Sequence, residues 1–185
     1  MPLTKIETVI FDVAGTLLPC DANSTSSALL NQAPALLNQL ASEQKRVGLL
    51  LQTAVQLPAT LDGYPCLQAG EGQRPAPAPD LPALCALALE SDALRHCLLI
   101  SGTAAGVEAG LSAGMWTVGT ALSGSLEQAA LAEWPNLPAA ERDQLRMQAT
   151  MALLNAGAHY VIDAIDELTH CLTDIALRLQ KGERP

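Results

Sequence analysis

The chain is poor in aromatic residues, in lysine and in paired cysteines, and each shortage narrows what it can be. Its 185 residues carry only Phe11, Tyr64, Trp116, Trp134 and Tyr160 as aromatics, so the core must be built from Leu, Ala, Val and Ile. Lysine occurs at positions 5, 45 and 181 alone, and the net charge is −9. That balance excludes a nucleic-acid partner, whose phosphates need Lys and Arg, and an anionic membrane surface. The five cysteines, Cys20, Cys66, Cys85, Cys97 and Cys171, form no CxxC pair. A scattered odd count predicts free thiols in a reducing compartment, and the expected location is cytoplasmic. No basic start with an apolar stretch behind it opens the chain, and no apolar run is long enough for a bilayer. His96, His159 and His170 share no metal-ligand spacing, and His159 reads as structural.

Against these shortages stand 49% apolar residues and a length sufficient for one cored domain, residues 1–185. The stretch from Thr8 to Leu18, TVIFDVAGTLL, organises the rest. Val9, Ile10 and Phe11 read as a buried strand, within a first strand from Glu7 to Asp12. Gly15 permits a tight turn behind it. Asp12 therefore falls at the carboxyl end of a parallel strand, where open α/β sheets place their ligands.

Further strands are expected at Val47 to Leu51, Cys66 to Ala69, Cys97 to Ser101, Met115 to Gly119 and Tyr160 to Ile162. Helices are expected within Ala28 to Gln44, where Pro34 suits a first turn, and at Ala104 to Ala113 and Ala139 to Asn155, the last stopped by Gly157. Two more are expected behind Asp80 and Asp163 as caps. Pro19 to Ser27 and the Pro- and Gly-rich Gly70 to Asp80 read as loops, and Glu127 to Pro138 as irregular with Trp134 as an anchor. Met115 and Trp116 read as ordinary sheet packing. The alternation of strand and helix predicts a mostly parallel sheet with helices on both faces.

Asp12 to Thr16, DVAGT, resembles the first motif of the haloacid dehalogenase superfamily, in the D-x-A-G-T form of its phosphonatase branch. Ala109 to Gly119, AGLSAGMWTVG, and Asn155 to Leu168, NAGAHYVIDAIDEL, resemble later segments of the same branch. The resemblance brackets nearly the whole chain. It implies a Rossmann-like core without a cap domain, since only residues 17–33 stand where the family inserts one. It further implies Asp12 as a nucleophile forming an acyl phosphate. Mg²⁺ would be held by Asp12, the Ala14 carbonyl and two acids after the fourth strand.

Several parts of that scheme have no residue to perform them. The family reads VGDxxSDxxEG where this chain reads ISGTAAGVEAG, so Gly102 and Gly106 replace the expected acids and Glu108 is displaced from both. Leu50 or Leu51 stands where a hydroxyl should end the second strand, with Thr53 a substitute only if the register slips. Ala14, in the general-acid position, carries no proton. The Schiff-base lysine belongs to the missing cap, and Lys5, Lys45 and Lys181 are expected away from the site.

The expected function is a phosphonatase-like protein acting by binding or regulation, with no cofactor. The partner would be a protein or a second copy, Leu17 and Leu18 being left uncovered by the lost cap. The alternative is a weak capless phosphohydrolase that uses Mg²⁺, with Asp12, Thr16 and Arg74 as its residues and a large substrate. Asp12 itself reads either as a nucleophile or as a remnant capping the amides of its own turn. Thr16 reads as a turn residue in both cases. The amides of Val13, Ala14, Gly15 and Thr16, together with the helix start near Thr103 and Arg74, favour weak phosphate or sulfate binding.

Overall fold

The computed structural model describes residues 5–22, 28–70 and 72–185. The Asn23 to Ser27 part of the first expected loop and Glu71 of the second lie outside the described residues. The strands are β1 (Thr8–Asp12), β2 (Arg46–Leu51), β3 (Cys66–Gln68), β4 (Cys97–Ser101), β5 (Trp116–Thr120) and β6 (Tyr160–Ile162). Among the described residues they form one sheet in the order β3-β2-β1-β4-β5-β6, every pair parallel. The order reverses between β1 and β4, the crevice where such sheets bind ligands.

The central strands are buried on both faces, which is why they read as continuous apolar runs. On one face Val9, Phe11, Leu49, Leu98, Ile100, Trp116 and Val118 pack with Leu36, Leu37 and Leu40 of helix α1 (Ala33–Ser42) and with Leu172 and Ile175 of α7 (Leu168–Gln180). On the other, Ile10, Leu50, Leu99 and Met115 meet Leu81, Cys85 and Ala86 of α2 (Asp80–Ala88). Trp116 and Met115 thus face opposite layers, as strand alternation requires. Helix α3 (Ala104–Ser112) lies on this second side, where a Cβ on Gly110 would stand 2.8 Å from Leu99 Cδ2.

Several boundaries differ from expectation. Helix α1 begins at Ala33, with Pro34 in its first turn, where the missing N–H has no intrahelical partner to lose. Neither expected acidic cap forms. Asp80 is the first residue of α2 and its carboxylate binds Arg74 instead. Asp163 accepts from Arg146 at 2.8 Å, and α7 starts at Leu168 after a 3₁₀ turn over Ile165–Glu167. The 127–138 stretch is not irregular throughout. It holds a short helix α5 (Gln128–Glu133) and a 3₁₀ turn over Trp134–Asn136. Trp134 is only half-buried, beneath Arg146 at 5.6 Å.

Helix α4 (Ala121–Ser125), a Gly- and Ser-bearing segment with no periodic signal, forms through tertiary contacts: the N–H groups of Leu122 and Ser123 donate to the Asp163 carbonyl. The long helix α6 (Ala139–Asn155) ends as expected, Gly157 taking φ +91° and Ala158 N–H closing onto the Leu153 carbonyl. Among the described residues no helix is long and apolar enough to cross a membrane.

Candidate functional site

Asp12 ends β1 and Ser101 ends β4, so the two flank the point where the strand order reverses. Asp12 lies in register with Leu50, and the Val13 N–H donates to the Leu50 carbonyl. The chain then closes a turn. Leu17 and Leu18 N–H groups both donate to the Val13 carbonyl, and Gly15 N–H to that of Leu18. Gly15 takes φ +81°, a conformation that favours glycine. Thr16 is the turn residue expected of it, its hydroxyl donating to the Asp12 carbonyl at 2.6 Å.

The Asp12 side chain is 3% exposed. Its carboxylate does not cap its own turn; Oδ2 accepts from the Ser101 hydroxyl at 2.9 Å. Ser101 Oγ in turn accepts the Thr103 N–H at 3.2 Å, and Thr103 caps α3 by accepting the Gly106 N–H at 3.1 Å. Burial pushes the Asp12 carboxyl up from its ordinary 3.8 to about 6, and the Ser101 hydrogen bond pulls part of the way back.

The backbone crowds this carboxylate. A Cβ on Gly106 would collide with Ser101 Oγ, stand 2.8 Å from Ser101 Cβ and lie 3.0 Å from Asp12 Oδ2. A Cβ on Gly102 would lie 2.5 Å from the Gly124 Cα, because α4 is pressed against the loop after β4. The Gly15 carbonyl holds α4 there by accepting from Thr120 Oγ at 2.8 Å and from Ser123 Oγ at 2.7 Å.

The divalent cation implied by the sequence resemblance does not fit these residues. Asp12 and the Ala14 carbonyl are the donors left, and both positions that should carry acids are closed by contacts within the protein. Glu108 is exposed on α3, and among the described residues no group of three or more His, Cys, Asp or Glu side chains gathers as a metal site.

The remaining expected residues are not all brought together. Arg74 is exposed in the loop after β3 and engaged with Asp80 at 2.6 Å. Of the four turn amides, those of Val13, Gly15 and Thr16 already donate within the protein. Leu50 faces the second apolar layer and Thr53 is exposed beyond β2. Lys45 donates to the Ile6 carbonyl at the opposite, amino end of the sheet. Leu17 and Leu18 are not uncovered: both are fully buried in the first apolar layer, because the turn folds them inward. His159 is structural, accepting the Thr117 N–H at 3.1 Å beside the Trp116 ring.

Ser101, Thr103, Thr120 and Ser123 carry the local network, and of these the sequence pointed to Thr103 alone, as a helix start. The one legible signal was Thr103 three residues before Gly106, a capping spacing. Beside the network, a cavity of about 340 Å³ opens between residues 28–32 and α4–α5, lined by Leu29, Leu30, Leu122, Ser123 and Leu131 among others.

An open parallel sheet with a buried carboxylate and a tight turn at its switch point defines an α/β protein of the Rossmann-like class. No protein-family model matches the chain. Over 114 residues it is 40% identical to phosphonoacetaldehyde hydrolase of Klebsiella pneumoniae, and 39% to that of Salmonella typhi. The match takes in 62% of this chain and 42% of each relative, so the chain spans less than half the length of the curated relatives it matches.

Among solved structures, a phosphonoacetaldehyde hydrolase like protein from Oleispira antarctica is 32% identical, with TM-score 0.74 over 85% of this chain and 60% of that one. A HAD family hydrolase from Deinococcus radiodurans shares the fold at TM-score 0.65 and 16% identity, over 94% of this chain and 98% of that one. The chain is thus similar in sequence to phosphonoacetaldehyde hydrolases, and its fold is that of the haloacid dehalogenase superfamily.

Proposed function

We propose that this chain is a non-catalytic member of its superfamily, acting by binding or regulation. The observation that carries the reading is the surroundings of Asp12. A carboxylate that attacks phosphorus must have its charge, and that of the phosphoryl group, neutralised by a cation. The described partner of this one is a serine hydroxyl, with the Gly106 backbone where a metal-binding acid would project. The absent hydroxyl at Leu50, the protonless side chain of Ala14 and the lack of a lysine on this edge support the same conclusion. Support for a core without a cap comes from the connection after the turn, where 14 residues lead from Leu18 to α1.

The binding role fits the cavity beside α4 and α5, whose lining residues carry no charge. A protein partner or a second copy is the occupant this reading favours, with phosphate or sulfate bound weakly. The rival, a weak Mg²⁺-dependent phosphohydrolase, draws on the intact turn from Asp12 to Thr16. A panel of phosphate esters and phosphonoacetaldehyde, with and without Mg²⁺, separates the two. The expected result is no turnover above the Asp12→Ala variant. Hydrolysis that Asp12→Ala abolishes refutes the non-catalytic reading.

A further inference from the structure

We infer that Ser101 is the residue that closes the Asp12 site to a divalent cation, and that the site reopens only when Ser101 and Gly106 change together. The inference rests on the reading of this site as one that has lost its metal. It goes further by naming the group that stands in the metal's place.

Four distances support it. Ser101 Oγ is 2.9 Å from Asp12 Oδ2, so a neutral donor satisfies the oxygen a cation would otherwise claim. The same Oγ accepts the Thr103 N–H at 3.2 Å, which leaves its own proton available to Asp12. The Cβ direction of residue 106 points at Asp12, ending 3.0 Å from Oδ2, but passes through the Ser101 side chain, 2.8 Å from its Cβ. An aspartate at 106 would therefore project toward Asp12, with the Ser101 side chain the first group in its way and Asp12 Oδ2 next at 3.0 Å. Residue 102 offers no such route, since there the obstruction is the Gly124 backbone, which cannot rotate away as a side chain can.

Removing the Ser101 side chain does two things at once. It strips Asp12 of its described donor, leaving a buried carboxylate in need of a partner, and it clears the space for an acid at 106. Asp12 then has a second carboxylate beside it, and two carboxylates with a backbone carbonyl and water are a donor set of the kind that holds Mg²⁺. Neither change suffices singly. With Ser101 present, an acid at 106 has nowhere to go; with Gly106 present, Asp12 is the lone carboxylate.

The test measures Mg²⁺ binding by titration calorimetry on the full chain. It compares the wild type, Gly106→Asp, Ser101→Gly and the double variant, each checked for folding by circular dichroism. The double variant should bind one Mg²⁺ at least tenfold more tightly than the wild type or Gly106→Asp, and adding Asp12→Asn should abolish that binding. Ser101→Gly, with Asp12 as the lone carboxylate, should bind Mg²⁺ no more tightly than the wild type. A second double variant, Ser101→Gly with Gly106→Glu, keeps the inference testable if the first does not fold.

The inference is overturned if Gly106→Asp or Ser101→Gly alone binds as tightly as the double variant, or if a folded double variant binds no better than the wild type. A wild type that binds Mg²⁺ tightly but turns nothing over also overturns it, and leaves the non-catalytic reading standing. A double variant that gains the metal as expected, beside a wild type that hydrolyses esters without metal, does the reverse.

Discussion

Asp12→Asn should stabilise the protein, and by an amount that depends on pH. The carboxyl is held at about 6 in the folded chain against 3.8 in its ordinary state, chiefly because it is buried. A raised acid binds more protons when folded than when unfolded, so stability falls as pH rises from about 4 to about 6 and stays low above that. The difference corresponds to roughly 3 kcal/mol of stability forgone at pH 8, at about 1.4 kcal/mol per pH unit. Asparagine has nearly the same shape, keeps an oxygen for the Ser101 hydroxyl at 2.9 Å, and never ionises. Its amide hydrogens lack an evident acceptor, a cost of about 1 kcal/mol that is the same at every pH.

The net gain should therefore be about 2 kcal/mol at pH 8. It should fall by about 1.4 kcal/mol on going to pH 5, where the folded wild type is already mostly protonated. Urea unfolding of both proteins at pH 5, 6, 7 and 8, with linear extrapolation, measures it. In parallel, carbon-13 NMR of the Asp12 carboxyl should titrate with a midpoint near 6. A gain that does not change with pH, or a loss at pH 8, refutes the reasoning. The first would mean that the folded carboxyl titrates at its ordinary value, and the second that the carboxylate makes contacts an asparagine cannot replace.

Four further substitutions probe the network and the packing around it. Ser101→Ala removes the described donor to Asp12 and should cost about 1–3 kcal/mol at pH 8 and less at pH 5, in the same urea series. Gly124→Ala places a methyl 2.6 Å from the Gly102 carbonyl oxygen and should cost at least ~2 kcal/mol. Gly63→Ala, with nothing within 4 Å of the new methyl, serves as its control and should lie within about 0.5 kcal/mol of wild type. Leu153→Ala removes the buried side chain by which α6 covers Gly119, and should cost about 2–5 kcal/mol by thermal or urea melt. An unchanged midpoint would mean that α6 is not docked there.

Much of the scaffold was legible residue by residue. Val9 to Phe11, Val47 to Leu51 and Cys97 to Ser101 are runs that only a strand buried on both faces tolerates, and they became β1, β2 and β4. Gly157 and Pro34 marked helix limits through their backbone requirements alone. The acidic caps were misread because Asp80 and Asp163 found cationic partners, Arg74 and Arg146, which outcompete a helix N–H for a carboxylate. Helix α4 was invisible because its stabilising acceptor, the Asp163 carbonyl, lies some forty residues away in sequence.

The site divides the same way. That Asp12 ends a strand, and that glycines stand at positions 102 and 106, is written in the chain. So is the absence of a proton on residue 14, since chemical identity needs no fold to be read. The fate of Leu17 and Leu18 was not so written. Apolar side chains on a turn can face either way, and only the path of the chain back under β1 buried them.

The role of Ser101 likewise belongs to tertiary structure. A serine 89 residues from Asp12 becomes its hydrogen-bond partner because parallel pairing sets the ends of β1 and β4 side by side. The sequence thus determined which residue types are available to this carboxylate. The fold decided which of them it meets, because a buried charge must be satisfied by whatever the neighbouring strands bring within three ångströms.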